Sequence, residues 1–300
     1  MLKREEFLGF NFCVSNDIKD TAQEIMNSIP TNSLNDIPII LTLNVDYVVK
    51  LNRPENKDLI DRLRKSKFIF ADGQPIVWAS KFYKKNIKHR ITGSDLFPEM
   101  YEIAKEQNIQ ILLISPGKDT SDYYRKDYPS ACIYELPFVD RNDTSAFDTI
   151  IKHCVDLIMQ NQIRAVFIGV SFPKQDKIAL GIYDALTMKK YTKIPLLGLL
   201  GASLEFTAGV KKRAPAIYQE LGMEWFYRFI KEPRRLFSRY FIESFKFLSI
   251  LTSFEHHPLQ AEDTLADQLP KPLPRIVTPY IRPTQPAPVH EKNVLPYIEK

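Results

Sequence analysis

Asp72 stands where a hydrophobic run stops. In Phe68-Ile69-Phe70-Ala71-Asp72-Gly73-Gln74-Pro75 a carboxylate ends a strand-like segment, and the glycine after it lets backbone come close to a ligand. A carboxylate at such a partly desolvated rim can take a proton from an alcohol, the work of a general base. The same spacing also suits an Asp that caps a turn or a helix, and residue types alone leave both readings open. Other apolar runs end in a similar way. Thr42 and Asn44 close the run that begins at Ile37, Gly169 and Ser171 follow Ala165-Val166-Phe167-Ile168, and Gly201 and Glu205 lie in the run from Ile194 to Phe206.

These residues meet only if the runs are strands of one sheet. Six runs rich in β-branched and aromatic residues recur, at Ile37–Asn44, Lys67–Gly73, Ile109–Ser115, Cys132–Phe138, Arg164–Val170 and Ile194–Phe206. Between them lie segments with helical spacing, at Asp17–Ile29, Asn56–Lys65, Leu96–Gln107, Thr144–Gln160 and Asp176–Lys189. That alternation predicts an α/β fold with a mostly parallel sheet flanked by helices. The runs are nearly continuous in apolar residues, as strands buried on both faces require. Ligands of such sheets sit beyond the carboxyl ends of the strands, where the polar and glycine residues gather.

Several function classes find no support. The 300 residues hold neither GxGxxG after a strand nor GxxxxGK[ST], so a standard dinucleotide fingerprint and a P-loop are both missing. The five histidines are scattered with no HExxH, and the three cysteines form no CxxC pair, which argues against a metal cluster or a disulfide framework. Asp140 and Asp143 lack the spacing of a DxD metal pair and read as a polar loop after the fourth strand. No apolar leader follows the charged first residues, and no run reaches the roughly 18 apolar residues of a membrane span. A reducing cytosolic compartment is therefore the expectation. The excess of 41 basic over 36 acidic residues is too small by itself to bring the chain to nucleic acid or a bilayer.

The character changes after about Arg213. From Trp225 to Leu248 the residues Phe226, Phe229, Ile230, Phe237, Tyr240, Phe241, Phe245 and Leu248 follow helical spacing, with Arg228, Lys231, Arg235, Arg239 and Lys246 on another face. Pro233 is expected to kink or divide that helix. An Arg- and Phe-rich amphipathic helix suits a membrane interface, but the stripe could equally pack on the sheet domain with its arginines solvated. A nucleic-acid surface is the weaker option, because the cations alternate with a phenylalanine stripe rather than a stacking platform. Beyond His257 the chain is crowded with prolines and reads as an extended or disordered tail. The expected division is an α/β domain over 1–210, a basic amphipathic helical appendage over 211–255 and a Pro-rich tail over 256–300.

Seven segments then occur in order: Thr42-Leu43-Asn44; Ala71-Asp72-Gly73-Gln74-Pro75-Ile76-Val77-Trp78; Arg90-Ile91-Thr92-Gly93-Ser94-Asp95-Leu96; Gly169-Val170-Ser171-Phe172-Pro173-Lys174-Gln175-Asp176; Gly201-Ala202-Ser203-Leu204-Glu205-Phe206-Thr207-Ala208-Gly209; Arg213-Ala214-Pro215; and Leu221-Gly222-Met223-Glu224-Trp225 leading to Glu232-Pro233-Arg234-Arg235-Leu236. Together they resemble the WecG/TagA/CpsF glycosyltransferases over roughly residues 8 to 250. The resemblance implies a Rossmann-like catalytic domain and an inverting, metal-independent transfer of a sugar from a UDP-sugar to a lipid-linked acceptor. That acceptor is typically a sugar on undecaprenyl diphosphate at the cytoplasmic membrane face, in cell-surface polysaccharide biosynthesis.

Carried over residue by residue, Asp72 looks like the catalytic base. Thr42, Asn44 and Gln175 match polar positions of the donor and active-site pocket. Arg90 matches a basic position that balances charge on departing UDP, although an ion pair with a residue such as Asp95 is the plainer reading. Gly169 and Gly201, with Gly209, would let backbone N–H groups approach phosphate or ribose, or are ordinary turn glycines. Arg213, Arg228, Arg235 and Arg239 are candidates for the acceptor diphosphate and the membrane. Asp176 departs from the pattern, since relatives usually carry Glu there. No cofactor and no metal are expected, a homo-oligomer is compatible with the pattern, and N-acetylmannosamine is the nominal sugar. The alternatives are a non-catalytic nucleotide-sugar binding protein and a basic nucleic-acid-binding module.

Overall fold

The computed structural model describes residues 2–29, 36–215, 217–218, 224–231 and 243–256, the side chains of 225, 228, 243, 244 and 254–256 excepted. Its core is one parallel sheet of six strands: β3 (Ile37–Leu43), β4 (Ser66–Ala71), β5 (Ile111–Ser115), β6 (Cys132–Glu135), β7 (Ala165–Ile168) and β8 (Leu196–Leu199). They lie in the order β4-β3-β8-β7-β5-β6. Every residue of β3, β5, β7 and β8 is buried, and alternate residues face opposite layers. Ile39, Leu41 and Leu43 point into one hydrophobic cluster and Ile40 into the other; Val166 and Ile168 oppose Ala165 and Phe167 in the same way. Both faces need cover, so the strands carry no polar alternation.

Helices supply that cover. α2 (Val45–Leu51), α3 (Lys57–Leu63), α4 (Gln74–Phe82), α7 (Thr144–Gln160) and α8 (Lys174–Met188) pack on the first layer. On the second lie α1 (Ile18–Asn27), α5 (Gly93–Glu106) and α6 (Lys118–Asp127), where Phe97, Tyr101, Tyr124 and Phe167 make edge-on and tilted ring contacts. The chain builds β3 and β4 toward one edge and β5 and β6 toward the other, then fills the gap with β7 and β8. The carboxyl ends of β3 and β8 thus lie side by side at the reversal of strand order, where open α/β sheets hold ligands.

The expected α/β architecture with its parallel sheet is present, and each of the six runs contains a strand. Three local features differ. The run Ile194–Phe206 is not one strand: β8 stops at Leu199, Gly201 turns with φ +56°, and α9 (Ser203–Thr207) follows. An antiparallel hairpin, β1 (Lys3–Phe7) with β2 (Phe10–Val14), precedes the sheet and is anchored on β4 through Arg4, which donates to the Lys67 carbonyl at 3.0 Å. Finally, the amphipathic segment contains two described helices, α10 (Glu224–Lys231) and α11 (Glu243–His256). Phe247 and Leu251 of α11 are buried in the core cluster beside α2, whereas Phe245 and Leu248 of the expected apolar stripe are exposed. Pro233, Phe237, Tyr240, Phe241 and the Pro-rich tail lie outside the described residues.

Candidate active site

The tips of β4, β3 and β8 bring Asp72, Thr42, Asn44 and Gly201 to one edge of the sheet. Asp72 follows β4 directly, and its backbone N–H donates to the Leu43 carbonyl at 2.8 Å, which extends the β3–β4 pairing by one step. α4 is capped at Gly73 without a side-chain hydrogen bond, so Asp72 is not its capping residue. One residue back, the Ala71 carbonyl accepts from Ile91 N–H at 2.9 Å. That bond returns the loop carrying Arg90 to the same tip, so Arg90 and Asp72 are neighbours along two hydrogen-bonded backbones.

Thr42, on β3, is buried and faces the start of α5. A Cβ added at Gly93 would lie 3.4 Å from Thr42 Oγ1 and 3.0 Å from Ser203 Oγ, and Ser203 Oγ is 3.3 Å from Ser94 Oγ. Two hydroxyls therefore face one glycine, and a third meets one of them. Asn44 caps α2, its side-chain carbonyl accepting from Tyr47 N–H at 3.0 Å. Its type at the strand tip thus has a local structural cause beside any ligand role.

Gln175 and Asp176 open α8 from inside the protein. Gln175 Oε1 accepts from Gly201 N–H at 3.1 Å and its amide donates to Tyr47 Oη at 3.4 Å, which fixes the left-handed turn after β8. Tyr47 Oη in turn donates to Asp176 Oδ1. The other carboxyl oxygen of Asp176 is buried without a hydrogen-bond partner. Burial pushes the Asp176 carboxyl up from 3.8 to about 7, against the opposing pull of the Tyr47 hydroxyl.

A carboxyl that holds its proton more tightly when folded stabilises the protein below its unfolded value near 4, and that contribution is lost as pH rises toward 7. Replacing Asp176 with Asn removes the titration. Melting temperatures measured from pH 4 to pH 8 are expected to fall more steeply for the parent than for D176N; parallel curves would show that the carboxyl does not titrate there.

Gly169 and Gly201 differ in kind. At Gly169 a Cβ would come within 2.9 Å of Leu204 Cδ2 and 3.2 Å of the Ile114 carbonyl, so packing of α9 on the sheet explains the glycine. At Gly201 a Cβ would meet nothing within 4 Å, and the positive φ is what favours glycine. Only the second leaves open space on the carboxyl side of the sheet.

The ion-pair partner of Arg90 on α10 is Glu224, whose Oε2 lies 3.5 Å from Arg90 Nη1. Asp95 instead takes Arg213, with Nη1 donating at 2.7 Å, and the second Nη of Arg213 lies 3.6 Å from the same Glu224 oxygen. Burial alone would lower the Arg213 pKa, but Asp95 and Glu224 outweigh it and raise the group further. Two arginines thus flank one largely buried carboxylate. Arg228 lies on α10 with its side chain outside the described residues, and Arg235 and Arg239 fall outside them altogether.

Among the described residues no group of three or more His, Cys, Asp or Glu is placed to hold a metal ion. Asp143 caps α7 by accepting from Ala146 N–H, and Asp140 accepts from Asn142 N–H, as a polar loop does. No described helix is long and apolar enough to cross a membrane.

Glu224, Ser203 and Tyr47 join the site without having been singled out. Asp176 had a signal in the sequence: it shares a helical face with Ala179, Ile182 and Leu186, all buried, so a carboxylate facing the core was readable from spacing.

The family model of the glycosyl transferase WecG/TagA/CpsF family matches residues 6–257. Similar curated proteins include N-acetylglucosaminyldiphosphoundecaprenol N-acetyl-beta-D-mannosaminyltransferases of Staphylococcus aureus strains MRSA252, MW2 and NCTC 8325 / PS 47. Each is 28% identical over 182 residues, which is 59% of this chain and 66% of the relative. The match spans just under two thirds of those relatives' length.

Proposed function

Because the chain belongs to the WecG/TagA/CpsF family of glycosyl transferases, we propose that it moves a sugar from a UDP-sugar to a sugar carried on undecaprenyl diphosphate, in the synthesis of a cell-surface polysaccharide. The observation that supports this reading is the Ile91–Ala71 backbone hydrogen bond, which returns the loop carrying Arg90 to the β4 tip that Asp72 follows. The names of the relatives support N-acetylmannosamine as the sugar and an N-acetylglucosamine-bearing lipid diphosphate as the acceptor.

The reaction is a single displacement. The acceptor hydroxyl oxygen attacks the anomeric carbon from the face opposite UDP, the bond from that carbon to the diphosphate oxygen breaks, and UDP leaves with the electron pair. Asp72 receives the hydroxyl proton, so the nucleophile never has to carry a full charge. Arg90, seconded by Arg213, balances the negative charge that grows on the diphosphate. Thr42 and the Gln175-held turn at Gly201 line the donor side. One displacement inverts the anomeric centre.

The acceptor is membrane-borne, which places the protein at the inner face of the cytoplasmic membrane as a peripheral enzyme. The basic residues Arg228, Arg235 and Arg239 serve that surface and the acceptor diphosphate.

Mass spectrometry of products from a panel of UDP-sugars, offered with an undecaprenyl-diphosphate-linked N-acetylglucosamine analogue, tests the reading. Transfer of one sugar is the expected result; UDP binding without any product would leave a nucleotide-sugar binding protein. Cationic side chains take the role a divalent ion plays in other transferases, so excess chelator is expected to leave the rate unchanged. A strict requirement for Mg²⁺ or Mn²⁺ would overturn the metal-free displacement.

A further inference from the structure

Between Asp72 and Asp95 the chain holds no acidic residue at all, yet it carries Lys81, Lys84, Lys85, Lys88 and Arg90. Most of that stretch is α4 and the loop after it. α4 buries Ile76 and Val77 and leaves Trp78 57% and Phe82 80% exposed. The two rings are four residues apart and therefore share one face of the helix. Lys81 on the helix, and Lys84 and Lys88 in the loop after it, are exposed, while Lys85 reaches back toward Glu5 at 3.8 Å. Tyr83 Oη donates to the Leu251 carbonyl at 3.5 Å, which brings the end of α4 against α11 with its exposed Phe245 and Leu248.

A large exposed aromatic pair in a stretch whose charged residues are all cationic matches the interface of an anionic bilayer. Indole and phenyl rings settle at headgroup depth, and lysines are drawn by acidic lipid phosphates. We infer that the exposed face of α4, Trp78 and Phe82 with Lys81, Lys84 and Lys88, docks the protein on anionic membrane lipid. This surface lies on α4 of the sheet domain, apart in sequence from the cations of 213–246.

The assignment has a functional consequence that rests on the proposed lipid-linked acceptor. α4 begins two residues after Asp72 and is nine residues long, about 13 Å at the helical rise, so the face that touches lipid lies within one short helix of the proposed base. An acceptor sugar raised from the headgroup layer reaches Asp72 without leaving the membrane surface.

Trp78 makes the test direct, because the chain has only one other tryptophan, Trp225. In the full chain carrying W225F, the Trp78 emission is expected to shift to the blue and to be quenched by brominated lipid when vesicles of phosphatidylglycerol and phosphatidylethanolamine are added. Pure phosphatidylcholine vesicles should give neither effect. Co-sedimentation of the parent chain with the anionic vesicles is expected to weaken about tenfold or more in W78S/F82S and on the order of a hundredfold in K81E/K84E/K88E. All five side chains are exposed, so unchanged melting temperatures would accompany the loss.

An unshifted, unquenched Trp78 while the protein still sediments with vesicles would overturn the assignment, since another element would then carry the binding. So would a drop in oligomeric mass for W78S/F82S with vesicle binding intact, which would make the face a contact between copies of this chain. Vesicle binding is read without any sugar transfer, so failure of the transfer assay leaves this result standing, and the reverse also holds.

Discussion

Asp72→Asn lowers sugar transfer by on the order of a thousandfold, with UDP affinity and melting temperature close to those of the parent. Asparagine keeps the size of the side chain but has no lone pair basic enough to take the acceptor proton, so the attacking oxygen would have to form its bond while still protonated. The site gives three reasons to expect a specific effect rather than collapse. The backbone of Asp72 holds the β3–β4 pairing through its N–H, which the substitution leaves alone. α4 is capped at Gly73 and does not depend on the carboxylate. The side chain is half-buried at a strand tip, outside the sealed layers of the core. Product formation at saturating donor, together with a UDP titration by calorimetry, separates the step from binding. Parental activity in the Asn variant would remove Asp72 from the mechanism, and an equal loss of UDP binding would move it to the donor site.

The sheet was readable because its strands bury both faces. Ile-Pro-Ile-Ile-Leu-Thr-Leu cannot sit at a surface, and runs of that kind separated by helical segments admit few architectures. The hairpin was less readable: Lys-Arg-Glu-Glu-Phe carries four consecutive charges, and only its pairing with Phe-Asn-Phe-Cys-Val makes it a strand. α6 was hidden for the opposite reason, since its buried positions are Thr120, Ser121 and Tyr124, too polar to register as an apolar stripe. In the candidate site, the strand-tip residues Asp72, Thr42 and Asn44 announced themselves by position. The pairing of Arg90 did not. Its partner Glu224 lies 134 positions away in sequence, and side chains that meet through tertiary packing leave no local spacing to read. Arg213 and Asp95, 118 positions apart, make the same point.

That pairing sets up the second large effect. Arg90→Ala is expected to lower the turnover number by roughly a hundredfold to a thousandfold, because a diphosphate leaving group gathers charge as the sugar departs and a fixed guanidinium next to it acts mainly in the transition state. The competing explanation is purely structural: Arg90 only neutralises Glu224, and its loss removes one of the two arginines beside a carboxylate whose side chain is 10% exposed. The two explanations disagree about Glu224→Gln. If neutralisation is the whole role, removing either charge breaks the same pair, and R90A/E224Q should recover much of what R90A loses. If Arg90 serves the leaving diphosphate, E224Q relieves both Arg90 and Arg213 of an internal competitor and UDP binds more tightly, whereas adding it to R90A restores no turnover. Arg90→Lys should recover only part of the rate, because an ammonium cannot grip two phosphate oxygens with a planar fork. Turnover and UDP affinity measured for the four variants decide the matter: rescue in R90A/E224Q would reduce Arg90 to a structural cation.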